Sequence, residues 1–175
     1  DLAAREAPMK SSSELLKTWR RSSKVSAGEG QTTTVLEYLP PEGGLRVRCE
    51  AVVYERFPVV EWVVEFRNEG PADTPILESV LSMDLALARE EGAGEFVLHH
   101  AAGSQANRSD YAPRRTDLPP KAAKRLGGSG GRPTNADWSY FNLAWGDGGA
   151  IVSVGWPGQW FAQFTRDAGR SLALA

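Results

Sequence analysis

Two neighbouring segments with a strict period of two constrain this chain more than anything else in it. In residues 45–54, LRVRCEAVVY, the side chains of Leu45, Val47, Cys49, Ala51 and Val53 share one face. Arg46, Arg48, Glu50 and Tyr54 share the other. Residues 59–67, VVEWVVEFR, set Val60, Trp62, Val64 and Phe66 against Glu61, Glu65 and Arg67. Successive side chains of a strand point to opposite sides, so the alternation specifies half-buried antiparallel strands. Trp62 is expected between Val60 and Val64, buried against a facing sheet.

Further strands are expected at 32–39, 95–100, 139–145, 149–156, 160–166 and 170–175, punctuated by Gly- and Pro-rich turns. Residues 76–87 put Leu77, Leu81, Met83 and Leu85 on one face of another strand, although a helical reading also fits. The expected fold class is all-β, a large antiparallel sandwich of two sheets. One short helix is expected at 12–19, where Ser11-x-x-Glu14 fits a capping box and Leu15 and Trp19 lie one turn apart.

Composition narrows the function classes. The chain has 175 residues, enough for one domain with a sizeable core. No apolar run approaches the roughly 18–20 residues that span a bilayer. Lys and Arg total 20 against 22 Asp and Glu, a balance that argues against nucleic acid or an anionic membrane as partner. One cysteine, Cys49, supports neither a disulfide framework nor a Cys-rich zinc site. Two histidines leave little for a metal centre, and neither metal nor cofactor is expected. A cytoplasmic and an extracytoplasmic protein fit these features equally. The chain starts at Asp1 and stops inside the expected strand 170–175, so it is expected to be a piece of something longer.

Residues 101–137 break the strand pattern. They hold Gly103, Pro113, Pro119, Pro120, Gly127, Gly128, Gly130, Gly131, Pro133 and Asn135, and the expectation is one long loop. Structureless loops longer than about 12–15 residues are usually functional or disordered. The loop carries Arg108, Arg114, Arg115, Lys121, Lys124, Arg125 and Arg132, which suits a solvated segment or one docked on an acidic neighbouring domain. Its Gly127-Gly-Ser-Gly-Gly-Arg-Pro-Thr134 run lacks the Gly-Lys-Ser/Thr ending of a phosphate loop and reads as a flexible turn.

Other constellations carry less. His99 and His100 are neighbours on a strand, so they face opposite ways and one site cannot use both; one half-buried and one solvated imidazole are expected. Glycosidic hydrolysis needs two carboxylates across a cleft. Asp110, Asp117, Asp137 and Asp147 all lie in turn-rich sequence, where aspartate usually forms turns, and none is assigned as catalytic. Aromatic residues concentrate from Trp138 to Phe164. A sugar ring packs its C–H face on such side chains, so an exposed tryptophan beside a polar loop can form a carbohydrate platform. Phe141, Leu143 and Trp145 are expected in the core, with Trp160 and Phe164 on another face. Trp138, next to Asn135 and Asp137, is the one expected to be partly exposed.

Residues 57–77, FPVVEWVVEFRNEGPADTPIL, are similar to a segment of the α-galactosidase-like enzymes of glycoside hydrolase family 36. So are residues 131–143, GRPTNADWSYFNL, and residues 149–160, GAIVSVGWPGQW, together with Ser13-Glu-Leu-Leu16 and Trp19. The resemblance implies the N-terminal β-supersandwich, galactose-mutarotase-like in form, of a retaining glycosidase. The (β/α)8 barrel that carries the family's catalytic aspartates would follow it in the same chain. No barrel motif matches here, so the resemblance implies a non-catalytic part that braces the barrel and lends a loop to the carbohydrate cleft. Carried over, that loop is Arg132 to Tyr140, with Arg132, Asn135, Asp137 and Trp138 as residues near a galactoside-like substrate. The residues 101–137 are then expected to be ordered mainly by docking on the barrel. A free-standing carbohydrate-binding module is the alternative, resting on the aromatic cluster. A purely structural sandwich mediating subunit contacts in a homo-oligomer is a third reading.

Overall fold

The computed structural model describes residues 11–74 and 76–175. It divides into two units, residues 1–82 and 83–175.

The first unit is an antiparallel meander of four strands: β1 (Arg20–Gly28), β2 (Gln31–Leu39), β3 (Leu45–Tyr54) and β4 (Val60–Asn68). The period-two segments form β3 and β4, and their register places Val47 beside Phe66, Cys49 beside Val64 and Ala51 beside Trp62. The opposite face carries a ladder of charge. Arg46 bonds Glu37 and Glu69 at 2.8 Å each, and Arg48 bonds Glu65 at 2.8 Å and also Glu50. These carboxylates raise the affinity of both guanidinium groups for their protons, with the hydrogen bonds donated to Glu69 by Arg46 and to Glu65 by Arg48 foremost. The β1–β2 hairpin turns on Glu29 and Gly30, and Gly30 supplies the left-handed φ of 74°. β1 lay outside the expected strands. Its run of Arg, Ser and Lys has almost no apolar alternation, and only pairing with β2 reveals it.

Two expectations need correction here. Trp62 is half-buried rather than enclosed; Val60 beside it is 52% exposed and Phe66 is 41% exposed. Alternation identifies an apolar face but not what lies over it. The indole N–H of Trp62 donates to the Ser82 carbonyl at 2.6 Å. The helix expected at 12–19 is the single turn α1 (Ser12–Leu15). The expected Ser11–Glu14 capping box is present, with the Ser11 N–H donating to Glu14 Oε2 at 3.2 Å, and Thr18 then closes the turn on the Leu15 carbonyl.

The second unit is a sandwich of two four-stranded antiparallel sheets. One has the order β10 (Gly148–Ser153), β9 (Tyr140–Trp145), β6 (Phe96–Ala101), β7 (Pro113–Leu118). The other has the order β5 (Leu85–Ala88), β12 (Ser171–Leu174), β11 (Phe161–Arg166), β8 (Ala123–Gly127). The all-β antiparallel class is as expected, but the strands divide among three sheets of four rather than two large ones. The core joins Phe96, Leu98, Leu118, Phe141 and Leu143 of the first sheet to Leu126, Ala162, Phe164, Leu172 and Leu174 of the second. Phe141 meets Phe164 edge-on at 5.4 Å between ring centroids, a geometry that adds to the area buried. Arg166 is buried too, with its guanidinium 5.1 Å from the Phe96 centroid. It donates to the Ser171 carbonyl at 2.9 Å and to Gly169 and Asp167, fastening the β11–β12 hairpin.

The strand expected at 76–87 exists only as β5, and Ile76 at its expected start is 86% exposed. Ser79 takes a left-handed φ of 52°, which interrupts any extended run.

The largest correction concerns residues 101–137. They contain β7 and β8, which pair with β6 and β11. Both are edge strands, and the corner Pro119–Ala122 carries the chain from one sheet to the other. Edge strands are protected from pairing with other chains by prolines and charged side chains. Pro113, Arg114 and Arg115 on β7, and Lys124 and Arg125 on β8, supply that protection. The composition that reads as a loop is that of a guarded edge.

Candidate functional site

The segment 132–138 lies across one end of this sandwich, between the end of β6 and the end of β8. Gly103 N–H donates to the Ala136 carbonyl at 2.9 Å, Ser104 N–H to Thr134 at 2.7 Å, and Trp138 N–H to Ala101 at 3.1 Å. On the other side Asp137 N–H donates to the Gly127 carbonyl at 3.1 Å, and the Trp160 indole N–H to Pro133 at 2.6 Å. Gly103 is dictated by this crossing: a Cβ there would stand 2.3 Å from the Thr134 carbonyl oxygen. The segment is therefore ordered by bonds to its own unit, contrary to the expectation that order needs a docking partner.

The four residues singled out in sequence occupy different roles. Asn135 is turned inward, accepting from Ser129 N–H at 2.8 Å and donating to the Ser129 hydroxyl at 3.0 Å. Asp137 accepts from Gly127 N–H at 3.1 Å and from Arg114 at 3.3 Å. Arg132 is exposed at the tip, where its N–H closes a turn on the Ser129 carbonyl at 3.1 Å. Trp138 is half-buried, with its ring edge-on to Tyr111 at 4.5 Å.

Sequence reasoning missed Tyr111. It ends the 103–112 hairpin loop with a left-handed φ of 58°, a conformation that an aromatic residue adopts at a cost of order 1 kcal/mol or more. The loop is held by Asp110, which accepts from the Ser104 hydroxyl at 2.7 Å and from Gln105 N–H at 2.9 Å. The Ser104 bond, then the backbone N–H groups, hold this carboxyl below the usual carboxylate range. Asp110 is accordingly an anion at neutral pH and has no proton to donate. Tyr111 stays half exposed against Trp138, so the pair offers a two-ring surface. No signal in the sequence marks Tyr111, because only the folded hairpin brings it 27 residues along the chain to Trp138.

His100 on β6 is buried, its Nε2 3.0 Å from the Thr116 hydroxyl and its Nδ1 without a partner. Burial, with help from Lys124 and Arg114 and against Asp137, pushes its pKa below the ordinary value. His99 is exposed, as the strand geometry implied. Among the described residues no three His, Cys, Asp or Glu side chains converge as metal ligands, and no helix is long and apolar enough to cross a membrane. Asp117 is held by Arg115 at 2.8 Å. Asp110, Asp117 and Asp137 are thus each engaged in structure. The most exposed tryptophan is Trp156, at 62%, in the Gly-Trp-Pro-Gly-Gln-Trp run.

No protein-family model matches this chain, and no curated protein matches it in sequence. Solved structures do. The GH36 α-galactosidase AgaA of Geobacillus stearothermophilus matches 87% of this chain with a TM-score of 0.62 at 16% identity. A variant of that enzyme in complex with 1-deoxygalactonojirimycin matches 91% with a TM-score of 0.62, also at 16% identity. A second variant, in complex with stachyose, matches 91% with a TM-score of 0.61 at 16% identity. The chain spans 21–23% of the length of those enzymes. In fold, this chain is similar to a part of a GH36 α-galactosidase.

Proposed function

We propose that this chain is a non-catalytic β-sandwich part of an α-galactosidase-like glycoside hydrolase, N-terminal to a (β/α)8 catalytic barrel. In this reading it braces the barrel and lends the 132–140 segment to the carbohydrate cleft. The observation that carries the reading is a fold match over 87–91% of the chain to one enzyme, AgaA. The motifs at 57–77, 131–143 and 149–160 agree with it. The strained Tyr111 supports the role of the segment, because backbone strain persists where surrounding structure over-determines it and clusters at ligand sites. Trp138 and Tyr111 would meet the sugar face, and Arg132 would reach its hydroxyls. Asn135 and Asp137 act through the loop they hold, as positioning residues.

The purified chain alone is expected to hydrolyse no aryl α-galactoside, since Asp110, Asp117 and Asp137 serve as structural acceptors. Turnover abolished by changing one of those aspartates overturns this. In the enzyme that carries the chain, Trp138→Ala is expected to raise KM for an oligosaccharide with kcat retained. Unchanged kinetics with a lowered melting temperature would make Trp138 an anchor of the loop only.

The exposed Trp156 favours a second reading, a free-standing carbohydrate-binding module. Quenching of tryptophan fluorescence by stachyose, saturable in the isolated chain and lost in Trp156→Ala, would select it.

A further inference from the structure

Two concavities open on the sandwich of residues 83–175, and their charges differ in one respect. The smaller, about 330 Å³, is lined by Glu95, His99, Arg115 and Trp145 among others. Its ionic groups are already paired: Arg115 bonds Asp117 at 2.8 Å and Glu95 accepts from Arg89 at 2.6 Å. The larger, about 540 Å³, is lined by Arg125, Gly127, Gly128, Gln159, Trp160 and Phe161.

In the larger one the Trp160 indole N–H is held by the Pro133 carbonyl at 2.6 Å. The Arg125 guanidinium and the NH2 end of the Gln159 amide have no acceptor among the described residues. Arg125 lies with its guanidinium carbon 4.0 Å from the Phe161 centroid, and among the described residues no carboxylate pairs with it. A guanidinium flat on a ring keeps its N–H edge free. Gln159 Oε1 accepts the Gly131 N–H at 3.2 Å, which orients the amide and leaves Nε2 as its open end. The hollow itself is required by the backbone. Gly127 is the register partner of Phe161, so no side chain stands directly across the strand pair from that residue. A Cβ on Gly127 would lie 2.6 Å from the Trp160 carbonyl oxygen, and one on Gly128 would lie 2.2 Å from that of Arg132.

We infer that this concavity binds a compact ligand bearing an oxyanion, with the Arg125 fork as its main donor and Gln159 Nε2 as the second. A planar or tetrahedral oxyanion takes two parallel N–H bonds from such a fork, which a neutral hydroxyl cannot match. The inference is independent of the role proposed for Trp138 and Tyr111, because it uses neither residue.

The test titrates the full chain at low ionic strength with glucuronate, glucose and inorganic phosphate separately, following amide and arginine Nε resonances. Saturable shifts of Arg125 Nε and the Gly127 and Gly128 amides are expected with glucuronate or phosphate and none with glucose. Glucuronate binding about tenfold or more tighter than phosphate identifies an acidic sugar whose ring contributes on Phe161; equal affinities identify a free oxyanion. Arg125→Gln is expected to weaken binding about tenfold or more, and Arg125→Lys, which keeps the charge and loses the fork, to weaken it as well. Should the first variant fail to fold, the second gives the reading. Equal shifts with glucose, no saturable shift with either anion, or binding retained in both variants overturns the inference.

Discussion

The two units of this protein answer sequence pattern and burial in opposite ways. The β1–β4 sheet has the cleanest alternation in the chain and long, regular registers, yet its only buried residue among those described is Pro40. The sandwich of residues 83–175 has short strands with weaker alternation, and its core side chains include Phe96, Leu98, Phe164 and Leu174 at 0% exposure. Alternation is a property of one strand and its two faces. Burial needs a second layer, and in the sandwich each sheet supplies it to the other. A regular pattern therefore says where a strand runs, not how much stability its face contributes.

The largest expected effect sits in the sandwich. Phe164→Ala is expected to cost about 3–5 kcal/mol in equilibrium denaturation, the range for truncating an enclosed aromatic residue. A cost below about 1 kcal/mol would break the contrast between the units. Gly103→Ala comes next, at about 1–3 kcal/mol, because its Cβ would meet the Thr134 carbonyl oxygen. Hydrogen exchange in this variant should rise first at the Ser104 and Trp138 amides. Trp62→Ala, which removes one hydrogen bond and a half-buried ring, is expected to cost about 1–2 kcal/mol. A loss as large as that of Phe164→Ala would mean that Trp62 is enclosed after all.

The smallest effect is a pH dependence confined to the sandwich, which holds both histidines. His100 has a folded-state pKa below its ordinary 6.5. Above pH 6.5 the imidazole is neutral in both states and its stabilisation is fully present. As pH falls below 6.5 the unfolded chain binds the proton first, so stability declines until the folded-state pKa is passed, then levels off. Denaturation midpoints from pH 8 to pH 5 should show this decline, and His100→Gln should flatten it. An unchanged slope in that variant would assign the dependence elsewhere.

Much of the fold was legible, and the misses share a cause. The segments at 45–54 and 59–67 became β3 and β4 within a residue, and the inward set Phe141, Leu143, Trp160 and Phe164 entered the core. β1, β7 and β8 went unread because edge strands carry Ser, Pro, Lys and Arg where a central strand carries Val and Ile. The candidate site was legible only as a stretch of chain. Residues 132–138 do gather at one end of the sandwich, but Asn135 and Asp137 are spent on holding backbone N–H groups. Tyr111 and the concavity at Arg125 had no signature at all.

By itself the sequence determined the strand-forming class, the faces of β3 and β4, the absence of any disulfide framework and the identity of the large core side chains. These follow from local sterics and side-chain chemistry, which act between residues close in the chain. Tertiary structure alone decided which apolar face is enclosed, that the basic segment forms two sheet edges, and which polar groups remain unpaired. Those outcomes depend on contacts between distant residues, such as Arg166 with Phe96, Tyr111 with Trp138 and Gly127 with Phe161. A pattern of period two or 3.6 holds no information about such pairs, because it describes one element and they join two.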